Sequence, residues 1–153
     1  MSDIYKLDPD FLKTLERMYK DSRILYEKGE YYNCCYLCGY ILECALKYIL
    51  LKFGRDENGL PFSVNQVKRY GHKTQTLNEQ LDNCISSVNG IPPRYRLDCE
   101  KHAPCMLRGK GGYKPWDPGC RYGEHPMWEK KEYCDHYMAE SEYIFRFIGE
   151  IVV

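Results

Sequence analysis

The longest apolar run in the chain is Tyr31 to Phe53, and its apolar positions go nearly all the way round a helix. Leu37, Ile41, Cys44, Tyr48 and Leu51 form one stripe at helical spacing, and Cys34, Cys38, Leu42, Ala45 and Ile49 form a second. A helix apolar on most of its circumference is buried by several neighbours. Asn33, Glu43, Lys47 and Lys52 interrupt it too often for a membrane span, which wants roughly 20 mostly uncharged residues. Gly54 follows it, where a left-handed glycine is expected to close the helix. Around this central helix the pattern predicts three more. Asp8-Pro9 reads as a cap and first position, followed by a seam of Phe11, Leu15, Met18, Ser22 and Leu25 that ends at Gly29. The connection to the central helix is so short that the two are antiparallel neighbours. Thr74 to Val88 carries Leu77, Leu81, Cys84 or Ile85, and Val88 on one face, and Asn89-Gly90 with Pro92-Pro93 stops it. The last helix runs from about Pro126 to Val152 on Cys134, Tyr137, Ser141, Ile144, Ile148 and Ile151.

Two stretches lack a period. Arg55 to Lys73 reads as a loop with one helical turn around Val64 to Tyr70. Arg94 to His125 holds glycines, prolines and charges without any repeat, and is expected as a long irregular loop of the kind that carries function. No segment alternates like a strand. The expected fold is therefore all-α, an up-and-down four-helix bundle with a long irregular loop between its third and fourth helices. The 153 residues argue for one domain, 1–153.

Charge changes this picture little. Lysine plus arginine number 22, as do aspartate plus glutamate, so no strong net field draws the chain to nucleic acid or membrane. The first residues, MSDIYKLDPD, lack a basic segment followed by an apolar one, and a cytoplasmic protein with no membrane partner is expected. Nine cysteines make an odd number, and four of them (Cys34, Cys35, Cys38, Cys44) lie on the central helix, where reduced thiols serve as small buried hydrophobes.

Tyr40-Ile-Leu-Glu43-Cys-Ala-Leu-Lys47-Tyr-Ile-Leu50, then Gly71-His72 ahead of Leu77 and Leu81, then Trp116-Asp-Pro118-Gly-Cys-Arg121-Tyr122 before a last helix, follow one another in an order that resembles the HEPN superfamily of prokaryotic helical domains. The resemblance implies a four-helix bundle that forms a homodimer. It implies a protein that binds RNA or nucleotide, or a metal-independent endoribonuclease of a toxin or defence system with a nucleotidyltransferase-like antidote as partner. Catalytic members carry Arg-x(4–6)-His near the last helix. Arg96 and His102 match that spacing with five residues between them, and Arg121 and His125 match its place with three.

In either pair the histidine would move the proton and the arginine would hold phosphate. The structural alternatives are loop contacts for Arg96, His102 and Arg121, and a capping role for His125. Glu43 is the third candidate: it either orients such a histidine or pairs with Lys47 four residues on. His72 reads as a packing or capping residue. A competing use of the same loop is zinc, with Cys99, His102, Cys105 and Cys120 as ligands, which would order a segment without periodicity. Arg94, Tyr95, Arg96, Arg108, Lys110, Tyr113, Lys114, Trp116 and Arg121 mix cations with rings, as single-stranded RNA binding requires. A solvated loop folded over the bundle explains them equally.

Overall fold

The chain was analysed as a computed structural model, which describes residues 9–86 and 90–152. Helix α2, Tyr31–Phe53, is the centre, as its two apolar stripes require. Cys34, Cys38, Leu42, Ala45 and Ile49 are wholly buried, while Leu37, Tyr48 and Leu51 of the other stripe are half-buried. Helix α1, Phe11–Glu27, α4, Thr74–Ser86, and α7, Lys131–Ile151, each pack against α2. By length and composition α2 could cross a membrane, but most of it is buried inside this fold, as in the core helix of a folded domain.

The helix ends follow from local chemistry. The Asp10 carboxylate accepts from the Lys13 N–H at 2.9 Å, so the cap of α1 stands two residues later than the expected Asp8, which lies outside the described residues. Gly29 has φ +76°, and the Glu30 N–H reaches back to the Leu25 carbonyl at 2.9 Å, closing α1 tightly enough to reverse the chain into α2. Gly54 is not left-handed as expected: its φ is −70°. A side chain is excluded there by crowding, since a Cβ would come within 2.4 Å of the Leu50 carbonyl and 2.9 Å of the Phe62 ring. The expected helical turn is α3, Val64–Arg69, opened by a capping box between Ser63 and Gln66.

Ring and side-chain contacts give the directions. Tyr26 meets Tyr31 at one end of the α1–α2 pair and Lys47 sits over Phe11 at the other, so these helices are antiparallel as expected. Tyr19 stacks on Phe145 and Tyr26 donates to Asp135, so α1 is antiparallel to α7 as well. Helix α4 departs from the expected alternation. His72, just before it, meets Glu43, and Cys84, near its end, meets the Arg55 carbonyl. Helix α4 therefore runs in the same general sense as α2, because the intervening stretch with α3 is long enough to carry the chain back. Leu77, Leu81 and Cys84 of α4 are buried as expected, whereas Val88 and Asn89 lie outside the described residues. Among the described residues there is no strand, only an isolated bridge between Arg55 and Pro61.

The stretch from Arg94 to His125 is not an irregular loop. It contains α5, Cys99–His102, and α6, Pro104–Arg108, with 3-10 turns at Pro93–Tyr95 and Pro118–Tyr122. Leu97, Cys99, Ala103, Met106, Leu107, Trp116 and Cys120 are buried, so the segment completes the core. Glu140 of α7 anchors it by accepting from the backbone N–H groups of Cys105 and Met106, each at 2.9 Å. Pieces of four and five residues are too short to display a helical period, which is why the pattern along the sequence missed them. Helix α7 starts at Lys131, after a 3-10 turn over Pro126–Glu129, and its expected stripe from Cys134 to Ile151 is buried throughout.

Candidate functional site

Glu43 is 5% exposed and so needs partners for its charge. Lys47, one turn on and almost as buried, donates to Oε2 at 3.2 Å, and its ammonium lies 5.7 Å from the centre of the Phe11 ring. The other oxygen, Oε1, is 2.7 Å from Nδ1 of His72. A carboxylate accepts, so Nδ1 carries a proton and donates; in the neutral ring this leaves Nε2 as the acceptor. Glu43 is buried, but the His72 side chain is 55% exposed, so the dyad runs from the core to the surface.

The wall beside His72 is built by Trp116. Its indole lies against α2 at Gly39, where a Cβ would come within 1.8 Å of the ring, and Nε1 donates to the Tyr36 carbonyl at 3.0 Å. The Tyr40 ring packs edge-on against both Trp116 and His72, and its hydroxyl is 3.1 Å from that of Tyr36. Burial, together with the Tyr36 hydrogen bond, pushes the Tyr40 phenol above its ordinary range. Between this wall and the first turn of α4 lies a groove of about 500 Å³, lined by His72, Lys73, Thr74, Gln75, Lys114, Trp116 and Asp117 among others. Two lysines and one aspartate give its lining a positive balance, and Lys114 is only loosely paired with Glu124 at 3.6 Å across exposed surface.

The structure divides the residues singled out in the sequence. Glu43 is in this site. Arg121 is on its margin, exposed over the Tyr122 ring and hydrogen-bonded to Tyr122 and Tyr36, contacts that hold its guanidinium pKa up. His125 is turned away from the groove, 1% exposed and stacked on Trp128. Its Nε2 donates to the Lys114 carbonyl at 2.9 Å, and its Nδ1 is buried without a partner. Burial holds its pKa below the ordinary imidazole value. Neither nitrogen can take a proton from a ligand in the groove, and its role is to brace the Lys114 segment. Arg96 is exposed beyond the turn that stacks Tyr95 on Phe53, at the far end of α2 from the groove. The His102 ring is stacked on Tyr143 of α7, with centroids 3.7 Å apart. Lys114 and Trp116 alone among the basic and aromatic residues of the stretch line the groove; Arg108 pairs with Glu100, and Lys110 contacts His136.

His72, expected as a packing or capping residue, packs edge-on against Tyr40, pairs with Glu43 and lines the groove. The usable signal for that pairing was Glu43 itself, an acid facing the core, which required a second partner beside Lys47.

The possible zinc ligands are not brought together. Among the described residues no group of three or more histidine, cysteine, aspartate or glutamate side chains could hold a metal ion. Cys99, Cys105 and Cys120 are separately buried thiols, and burial pushes Cys105 up to about 11. All nine cysteines are buried, as expected for those of α2. Apolar packing and the Glu140 anchor account for the order that zinc was invoked to explain.

The class defined here is an all-α fold with a cationic groove beside a pair formed by an acid on the central helix and a histidine just before α4. The chain belongs to the HEPN domain family, which matches residues 10–96. That span covers α1 to α4, including Glu43, Lys47, His72 and Lys73, and stops before Lys114 and Trp116. No curated protein and no solved structure matches the chain.

Proposed function

We propose that this HEPN domain binds RNA or a nucleotide by phosphate in the groove between the start of α4 and the Lys114–Pro118 segment. The observation that carries this reading is the placing of Lys73 and Lys114 in one groove next to His72. Its volume falls within the ordinary range of ligand sites, about 300–1,000 Å³. Lysine is a mobile point charge suited to phosphate without sequence preference. Arg121 over Tyr122 extends the positive margin and offers an exposed ring for a base. Family membership agrees with an RNA- or nucleotide-related role. Neither Arg96 with His102 nor Arg121 with His125 is proposed as a reaction centre, since the histidine of each pair is engaged elsewhere. We propose a cytoplasmic homodimer in keeping with the family resemblance.

The test is equilibrium binding of a mixed-sequence, single-stranded RNA of about a dozen nucleotides, measured by fluorescence anisotropy across a salt series. The double variant Lys73→Ala, Lys114→Ala is expected to bind about tenfold more weakly, with a salt slope shallower by about 1.4, as loss of two phosphate contacts on a single strand predicts. Equal affinity and slope in the variant would defeat the proposal.

A further inference from the structure

We infer that the slot between the Lys110–Tyr113 turn and the start of α7 binds a small planar aromatic carboxylate. The slot is separate from the phosphate groove, since the two linings share no residue. One wall is built by a tight turn. Gly111 and Gly112 have φ +63° and +83°, and the Tyr113 N–H donates to the Lys110 carbonyl at 3.1 Å. Two left-handed residues in succession are what glycine permits. Lys110 and Tyr113 are thus the two ends of one closed turn, and both line the slot. The other wall is Tyr133 of α7, 5% exposed and held by ring contacts with His125 and Tyr137. The exposed Tyr113 ring stands edge-on to Tyr133, with centroids 6.2 Å apart, and Met127 adds its thioether to the lining. The space among them is about 340 Å³, at the small end of ligand sites, about 300–1,000 Å³. A fixed ring facing an exposed one gives a planar aromatic ligand surfaces to pack on.

The rim supplies the partner for the ligand's charge. Nζ of Lys110 lies 2.8 Å from Nε2 of His136, so the ammonium donates to a neutral imidazole and not to a carboxylate. Its remaining N–H donors are unspent. Among the described residues neither Lys110 nor Lys130 forms an ion pair. Glu140, the buried acid that feels the charge of Lys110, is already committed to the Cys105 and Met106 N–H groups. The lining therefore sets two lysines against one acid, Glu132. An excess of one positive charge suits a monoanion, and Glu132 opposes a dianion such as a phosphate monoester. A ring bearing one carboxylate satisfies both halves of the slot, the aromatic walls and the Lys110 ammonium.

The full chain is titrated calorimetrically with 2-naphthoate, with its uncharged isostere 2-naphthamide and with adenosine 5′-monophosphate, and the site is located by amide and ring resonances. The expected result is saturable binding of 2-naphthoate at a single site, with shifts at Lys110–Tyr113 and at the His136 ring. 2-Naphthamide should bind about tenfold more weakly or worse, as loss of a charge-assisted hydrogen bond implies. Lys110→Gln, on the exposed rim, should weaken 2-naphthoate by about the same factor, and Tyr113→Ala by about threefold or more through the lost ring. Absence of saturable binding at millimolar ligand, equal binding of the amide, or unchanged affinity in Lys110→Gln overturns the inference. Adenosine 5′-monophosphate binding this slot more tightly than 2-naphthoate overturns it as well. RNA affinity plays no part in the test, so failure here leaves the phosphate-groove reading standing.

Discussion

Oε1 of Glu43 lies 2.7 Å from Nδ1 of His72, and Oε2 of the same carboxylate lies 3.2 Å from the Lys47 ammonium. One buried acid therefore holds a surface histidine and neutralises a buried lysine. Removing it leaves Lys47 charged, 6% exposed and without its acid. Glu43→Ala is expected to cost about 3 kcal/mol, the usual penalty for stripping one member of a buried pair. The double variant Glu43→Leu, Lys47→Met should recover most of that loss. Urea denaturation of the three proteins checks the order; a double variant as weak as the single one would contradict it.

Trp116 depends on the missing side chain at Gly39. Gly39→Ala puts a methyl within 1.8 Å of the indole, so the ring must leave its seat on α2. Overpacking of this kind costs about 1–3 kcal/mol. The measurable outcome is a lower urea midpoint together with a shift in tryptophan emission, because Trp116 goes from 3% exposed to wetter surroundings. An unchanged spectrum would mean that the seat is not tight.

Glu140 gives the stability a pH dependence. Burial raises its carboxyl from 4.5 to about 7, against the pull of two backbone N–H donors. The folded state therefore holds the proton more tightly than the unfolded chain. Its contribution is fully present below 4.5 and is lost as pH rises through about 7, an effect of about 3 kcal/mol. Glu140→Gln should flatten this part of the curve. Denaturation midpoints at half-unit steps in pH, compared between the two proteins, test it.

His125 acts in the opposite sense. Its folded pKa is depressed below 6.5, so the unfolded chain takes up the proton first. The stability it provides is present above 6.5 and falls away as pH drops below that value. Because the ring is packed between Trp128 and Tyr133, His125→Ala should also cost about 2–4 kcal/mol through the cavity it leaves. His125→Phe keeps the ring and should cost less, with the acid-side slope removed. A His125→Ala protein of wild-type stability would contradict the bracing role.

The long helices were legible because their periods are long. The stripe from Cys134 to Ile151 and the Cys34–Ile49 stripe of α2 named buried faces, whereas Leu37, Tyr48 and Leu51 of the other α2 stripe are only half-buried. What the pattern missed was short or distant in sequence. Helices α5 and α6 show no period of their own, and their order comes from Glu140 and Trp116, which no local rule connects to them. The direction of α4 was hidden because a 20-residue connection can either turn or run back. The site was half legible. Glu43 stood out as an acid on an apolar helix, but its partner His72 is 29 residues away. Spacing drew attention to His102 and His125, whose rings are instead taken up by Tyr143 and Trp128.

The most direct test of the groove is a titration of isotope-labelled protein with short single-stranded RNA, followed by backbone amide and histidine ring resonances. The account predicts that His72 and the amides of Lys73–Gln75 and Lys114–Trp116 shift first and together. Shifts gathered instead around Arg96 and His102, with the groove unmoved, would contradict it.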